Sequence, residues 1–199
     1  MKRFVALSLV ALFLTTCRTA APTGAPIAPL TATTADEAAQ QLRARRASFA
    51  GARALMRVRA TVKGKTQSFR AQLSVIDAQR MELIAYTPVG TTAMKMSANG
   101  EHVSIDNRIE GTQWEGNANE LARSLGFFGT SLAPAEMSML ILGLPPRDDL
   151  TLDVTPSGLR SARVEDVSVT FDPPAFPAQH AVVTRGDDRV EIEIAEVVR

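Results

Sequence analysis

Side chains able to do acid–base, nucleophilic or metal chemistry are few in this chain. His102 and His180 are the only two histidines, and Cys17 is the only cysteine. A histidine can hold a metal or move a proton near neutral pH. A metal site also needs partners at ligand spacing, and neither histidine has an H-x-x-x-H or cysteine neighbour. Paired carboxylates can divide acid and base roles. Here Asp148-Asp149, Glu165-Asp166 and Asp187-Asp188 all fall where turns are expected, which predicts solvated loops. The chain has no G-x-S-x-G elbow, P-loop or dinucleotide glycine fingerprint. The expectation is a protein that is not an enzyme and holds no cofactor or metal. A serine or aspartate site assembled from distant residues stays open as the alternative.

The lone cysteine suggests a different chemistry. Met1-Lys2-Arg3 is a basic start, and Phe4 to Leu14 is an apolar run broken only by Ser8. That run is short of the roughly 20 residues a membrane-spanning helix needs, and it fits the apolar centre of a signal peptide. Cys17 follows directly in Leu14-Thr15-Thr16-Cys17 and has no cysteine to pair with. The stretch resembles the lipobox of bacterial lipoproteins. There the peptide is cut before the cysteine, the thiol is diacylated and the new amine is acylated with chains such as palmitate. Thr16 departs from the Gly, Ala or Ser usual before such a cysteine, and an ordinary secretory signal is the competing reading. Arg18 stands where Asp would hold a lipoprotein of this kind in the inner membrane. The resemblance therefore implies anchoring to the periplasmic face of the outer membrane.

Charge and composition remove other classes. Residues 1–16 hold two cations and no acid, so their loss takes the formal charge from +1 to −1. A nearly neutral body offers no basic stripe for nucleic acid. With aromatics at 5%, it also lacks a base-stacking platform. The remaining length suits one domain, expected as a monomer.

The elements follow from periodicity. Residues 18–33, "RTAAPTGAPIAPLTAT", have no apolar period and predict an extended tether. Thr34-Ala35-Asp36-Glu37 has the capping-box form and predicts a helix to about Ser48. Beyond Gly51 the period becomes two. Met56, Val58, Ala60 and Val62 share one face of a strand, and Phe69, Ala71, Leu73 and Val75 one face of the next. "RMELIAY", "TTAMKMSA" and "EHVSID" continue an antiparallel meander. The meander is then expected to break for two short helices. The first starts near Asn117 and carries Leu121 and Leu125; the second starts at Pro134 and is closed by Gly143. Strands return from Leu150 to the C-terminus. The fold class is α+β, mostly antiparallel sheet, with residues 1–16 as signal peptide, 17–33 as lipidated tether and 34–199 as one domain.

Two features of this plan are unusual. The expected inner face is rich in methionine, which repacks easily around partners of different shape. A plain core and an acyl-chain cavity are equally served by it. Thr87-Pro88-Val89-Gly90 joins two strands with a Pro/Gly turn, yet carries a β-branched apolar residue at its tip.

Taken in order, "RMELIAYTPVGTTAMKMSANGEHVSIDN", "NANELARSLGFFGTSLAPAEMSMLILGLP" and the strands ending in "VEIEIAEVV" resemble the LolB family of outer-membrane lipoprotein receptors. The likeness runs from about Ser48 to the C-terminus. Its most specific pieces are Pro88-Val89-Gly90 and Ile141-Leu142-Gly143-Leu144-Pro145. The LolA carriers and the sensor domain of RseB share the fold of this LolA/LolB-like group. The resemblance implies a curved, unclosed antiparallel barrel with helices plugging its open side and a hydrophobic cavity between. It implies a receptor that accepts lipoproteins from a LolA-like periplasmic carrier and inserts them into the inner leaflet of the outer membrane. Pro88, Val89 and Gly90 would form the membrane-contacting loop.

Alternation of the strands then nominates the acyl-chain cavity. Met56 and Val58, Leu73, Met81 and Leu83, and Met94 and Met96 come from the sheet. Leu121 and Leu125, and Met137, Leu140 and Ile141, come from the helices. A register error of one residue would invert any strand's members. The chain departs from the LolB pattern in lacking a Trp before "LGLP" and aromatics on the second strand; its single Trp is Trp114. A sensor or chaperone lipoprotein of the same fold, without insertion activity, is the alternative function.

Overall fold

The computed structural model describes residues 24–120 and 130–199. Cys17, Leu121 and Leu125 lie outside the described residues, as does the signal peptide.

The first helix, α1 (Ala35–Ala47), starts where its capping box requires. Glu37 N–H donates to Thr34 Oγ1 at 3.2 Å, and Glu37 Oε2 accepts from Thr34 N–H at 3.3 Å and Thr33 N–H at 2.8 Å. Two N-terminal donors that the helix itself cannot satisfy are thereby paired. Ala38 and Leu42 form its buried stripe.

Eleven strands follow among the described residues. Six come first: β1 (Ala52–Val62), β2 (Lys65–Val75), β3 (Arg80–Tyr86), β4 (Thr92–Asn99), β5 (His102–Asn107) and β6 (Thr112–Asn117). Residues 118–120 are helical where the described part breaks off, and a further helix, α2 (Pro134–Ile141), precedes the other five strands: β7 (Thr151–Thr155), β8 (Gly158–Val164), β9 (Val167–Ala175), β10 (His180–Arg185) and β11 (Asp188–Val198). They make one sheet in the order β6-β5-β4-β3-β2-β1-β11-β10-β9-β8-β7. Two antiparallel meanders are thus joined where β11 returns to pair with β1. The sheet does not close: β6 and β7 are its two edges. α2 packs on β2, β3 and β4, and α1 on β7. One continuous apolar core lies between sheet and helices. The expected α+β architecture, a curved and unclosed antiparallel barrel with helices against its inner side, is the one found.

The end of α2 explains the "ILGLP" stretch in physical terms. Gly143 takes φ +86°, Leu144 N–H donates to Met139 O at 3.0 Å, and Gly143 N–H to Leu140 O at 2.8 Å. This is a left-handed glycine closure that satisfies the last helical carbonyls. Leu142 O is instead used by Ala178 N–H, at 3.0 Å, which ties the helix end to the β9–β10 connection.

Two sequence expectations differ from the structure. The stretch "EGTQWEGN" was expected to lie between the meander and the helices, but Thr112–Asn117 is a sixth strand paired with β5. Its alternation is hidden because only Trp114 is large and apolar, while the next position on the same face is Gly116. Residues 24–30, expected in the free tether, lie along β11. Pro26 bridges Val198, Ile27 N–H donates to Val197 O at 3.4 Å, and Arg199 N–H to Ala25 O at 2.9 Å. The pairing of β10 with β11 stops at Glu193, so the end of β11 has a free edge to offer. Ile27 and Leu30 pack against the core, and Arg45 holds the segment through Ala28 O and, at 2.8 Å, Pro29 O.

Candidate functional site

The register of the strands fixes which side chains share the inner face. Val197, Ala54, Leu73, Leu83, Met96, Ile105 and Trp114 stand opposite one another in one row across seven strands. One step along lies a second row, Ile194, Met56, Ala71, Ala85 and Met94. A step in the other direction gives Ala52, Val75, Met81, Ala98 and Val103. Side chains two residues apart on a strand point the same way, so these rows form one surface. Met56, Val58, Leu73, Met81, Leu83, Met94 and Met96 therefore face inward together, as alternation required. From α2, Met137, Leu140 and Ile141 belong to the same core or pack against it. All ten lie in the apolar core or pack against it, and Met56, Val58, Leu73, Met81 and Leu140 are buried there.

Their burial is graded along the strands. The row of Ala52, Val75, Met81, Ala98 and Val103 is fully buried. On β3 and β4, Leu83 and Met96 in the next row and Met94 in the one after are half-buried, while Met56, Ala71, Ala85 and Ile194 beside Met94 stay buried. Beyond it, Val58 is buried while its partner Phe69 is half-buried, and Ala60 and Val62 are half-buried too. The apolar face is packed at one end of the sheet and becomes accessible toward the other.

Val89 stands at that accessible end. It is 76% exposed, the most exposed of the large hydrophobic residues among those described. Its turn is closed by hydrogen bonds on both sides. Thr87 N–H donates to Thr91 O at 2.8 Å, Gly90 N–H to Thr87 O at 2.9 Å, and Thr91 N–H to Thr87 Oγ1 at 3.2 Å. The Thr87 and Thr91 hydroxyls are 2.8 Å apart. Gly90 takes φ +88°, a conformation that L side chains resist. Pro88 fixes its own φ, so the tip is a stiff mount and Val89 does not fold back under it.

The opposite face of the same strands is polar. Lys95 pairs with Glu82 at 2.9 Å and Arg57 with Glu193 at 3.7 Å. The acidic residues flagged by sequence serve local structure. Asp148 accepts from Arg46 at 2.6 Å and lies 3.5 Å from Arg43, fastening α1 to the chain after α2. The hydrogen bond from Arg46 holds its carboxyl below the usual aspartate range. Asp166 accepts from Arg185 at 2.7 Å. His102 and His180 lie on β5 and β10, with five strands between them. No group of three or more His, Cys, Asp or Glu side chains at metal-binding distance occurs among the described residues.

Sequence reasoning passed over a second exposed apolar turn residue, Ile109, 71% exposed between β5 and β6. The reasoning applied to Val89 would have found it, had β6 been recognised and the segment before it read as a hairpin turn.

Comparison with known proteins bears on the fold. No protein-family model matches the chain, and no curated protein matches its sequence significantly. Among solved structures, a domain named as an outer membrane lipoprotein-sorting protein from Vibrio parahaemolyticus superposes with a TM-score of 0.54 at 10% identity. It covers 81% of this chain and 90% of that one. A DUF1329 family protein from Desulfovibrio piger gives 0.53 at 10% identity, over 83% and 93% of the two chains. A LolA superfamily protein from Nitrosomonas europaea gives 0.47 at 6% identity, over 84% and 94%. The unclosed antiparallel sheet is thus a fold shared with the Vibrio domain and the Desulfovibrio protein across nearly their whole length.

Proposed function

We propose that this protein is a lipid-anchored, non-enzymatic receptor for lipoproteins. It takes acyl chains from a soluble LolA-like carrier and releases them into the inner leaflet of the outer membrane. Cys17, diacylated through its thiol, is the anchor, and the site of action is the periplasmic face of that membrane. The observation that carries this reading is a coincidence of position. The apolar face opens toward the same end of the sheet at which Val89 protrudes. A cargo chain lying along Leu83, Met94 and Met96 would leave the protein where the exposed tip meets lipid.

The energetics fit a hand-over. Burying one valine side chain contributes about 1.5 kcal/mol, enough to orient the mouth toward a bilayer and too little to trap the protein there. A tenfold preference at each transfer needs only about 1.4 kcal/mol, so successively tighter sites and a bilayer sink require no chemical energy source. Methionine at positions 56, 94, 96 and 137 gives the face tolerance for chains of different shape. Half-buried apolar side chains also leave less to displace than a sealed core would.

A same-fold chaperone or sensor that binds acyl chains without inserting them is the second reading. It is favoured by the tip itself, since a single valine inserts little apolar surface. Residues 24–199 contain every described strand and helix and the whole core, so they serve as a soluble acceptor. The first test mixes them with a carrier loaded with labelled lipoprotein and follows the label by pull-down. Movement of label to the acceptor supports the proposal. Retention by the carrier, with a folded acceptor, contradicts the receptor reading and leaves the second.

A further inference from the structure

Ile109 shares its end of the sheet with Val89. Arg108 N–H donates to Ala93 O at 2.9 Å, which sets the start of the β5–β6 turn beside the start of β4. Because β4 and β5 are neighbours, the two hairpin tips stand two interstrand spacings apart, about 10 Å. Like the Val89 turn, this one is rigid. Asn107 Oδ1 accepts from Ile109 N–H and from Glu110 N–H, both at 3.2 Å, and Asn107 Nδ2 donates to Glu110 Oε2 at 3.0 Å. Gly111 completes it at φ +66°. Three large hydrophobic residues are exposed among those described, and two of them, Val89 and Ile109, occupy these adjoining tips. The third, Ile76, follows β2 directly at the opposite end of the sheet.

The surroundings decide what such a pair can meet. Thr87 and Thr91 bracket Val89, and Arg108 and Glu110 bracket Ile109, so along their own turns the two side chains are separate apolar points. A bilayer interface receives separate apolar points individually. Charge at this end is mixed: Lys63 and Lys65 lie at the β1–β2 turn, and Asp187 and Asp188 at the β10–β11 turn. Lys63 N–H donates to Asp188 Oδ1 at 2.8 Å, which holds those two turns together. Attraction to anionic lipid is therefore not the driving term.

We propose that Ile109 is a second membrane-contacting residue, so that Val89 and Ile109 together seat this end of the sheet on a bilayer by apolar insertion. One point of contact leaves the body free to swing about it. Two points, side by side, define a line and hold the open end of the apolar face against lipid. The proposal rests on the receptor reading above.

The test uses the full lipidated chain in phosphatidylcholine vesicles. An environment-sensitive fluorophore is attached through Ile109→Cys, Val89→Cys or Ile76→Cys, one at a time, and spin-labelled lipids act as quenchers. Quenching at 109 and 89 but not at 76, unchanged in high salt, is the expected result. Quenching at 89 alone overturns the second contact and leaves the receptor reading standing. Quenching at neither position overturns both membrane contacts. Shielding of position 109 by a soluble carrier instead of by lipid assigns the residue to a protein contact and overturns the proposal. In delivery assays, Ile109→Glu lowers cargo release to vesicles about tenfold while leaving cargo acceptance unchanged.

Discussion

The hydroxyls of Thr87 and Thr91 meet at 2.8 Å across the base of the turn that carries Val89. Thr87 also accepts from the Thr91 amide, so the side chain and the backbone close the same loop. Thr87→Val keeps the shape and removes both bonds. Each neutral hydrogen bond is worth about 1 kcal/mol net, so losing the two should lower delivery to vesicles by up to roughly thirtyfold. Global stability should hardly change, because the residue lies at a hairpin tip. Delivery kinetics read beside a thermal melt separate the two effects.

Burial along the inner face makes a contrasting pair. Met81 is fully buried and Met96 is half-buried two strand positions nearer the open end. Met81→Ala should cost about 2–4 kcal/mol of stability through the cavity it leaves. Met96→Glu should cost less, since the carboxylate can turn toward water. It should nevertheless weaken binding of an acyl-chain probe at least about tenfold by placing a charge beside an apolar ligand. Denaturant unfolding and probe titration on both variants check the split.

Gly143 is held by backbone geometry and not by contact with cargo. Its φ is +86°, and an added Cβ would stand 3.3 Å from Ala175 O and from the Ala178 Cβ. Gly143→Ala should destabilise the protein by about 1–2 kcal/mol for the left-handed conformation alone, and more if Ala178 must shift. Acyl binding by the folded fraction should be retained. Loss of binding without loss of stability would contradict this structural role.

Asp148 gives a pH dependence with a definite sign. The Arg46 hydrogen bond, aided by the charges of Arg46 and Arg43, lowers its folded value below the ordinary 3.8. A depressed carboxylate stabilises the fold fully above its unfolded value and loses that contribution as pH falls through the lower folded value. The group is solvent-exposed, so the effect is small. The difference in Tm between wild type and Asp148→Asn should be present at neutral pH and close as pH drops below 3.8.

Much of this fold was legible because strand alternation and helix caps are local. The Thr34 capping box, Pro134 at the start of α2 and Gly143 at its end fall where the sequence puts them. The inner-face membership of Met56, Leu73, Met81, Leu83, Met94 and Met96 followed from a period of two. What escaped depends on partners distant in sequence. β6 is polar and glycine-containing, and it is a strand because β5 offers an edge. Residues 24–30 have no period of their own and dock because β11 outruns β10 and Arg45 reaches their carbonyls. The gradient of burial that opens the apolar face toward Val89 is a property of the assembled sheet, and no single strand encodes it. Ile109 was missed with β6, since its turn exists only if that strand does.

The most direct measurement compares wild type with Val89→Glu in a two-stage assay. Labelled lipoprotein passes first from a loaded carrier to the protein and then from the protein to liposomes. The receptor account predicts that the variant accepts label as well as wild type and releases about tenfold less of it to lipid. Equal delivery by the variant would contradict the placement of Val89 at the membrane and, with it, the central claim that this end of the sheet hands cargo to the bilayer.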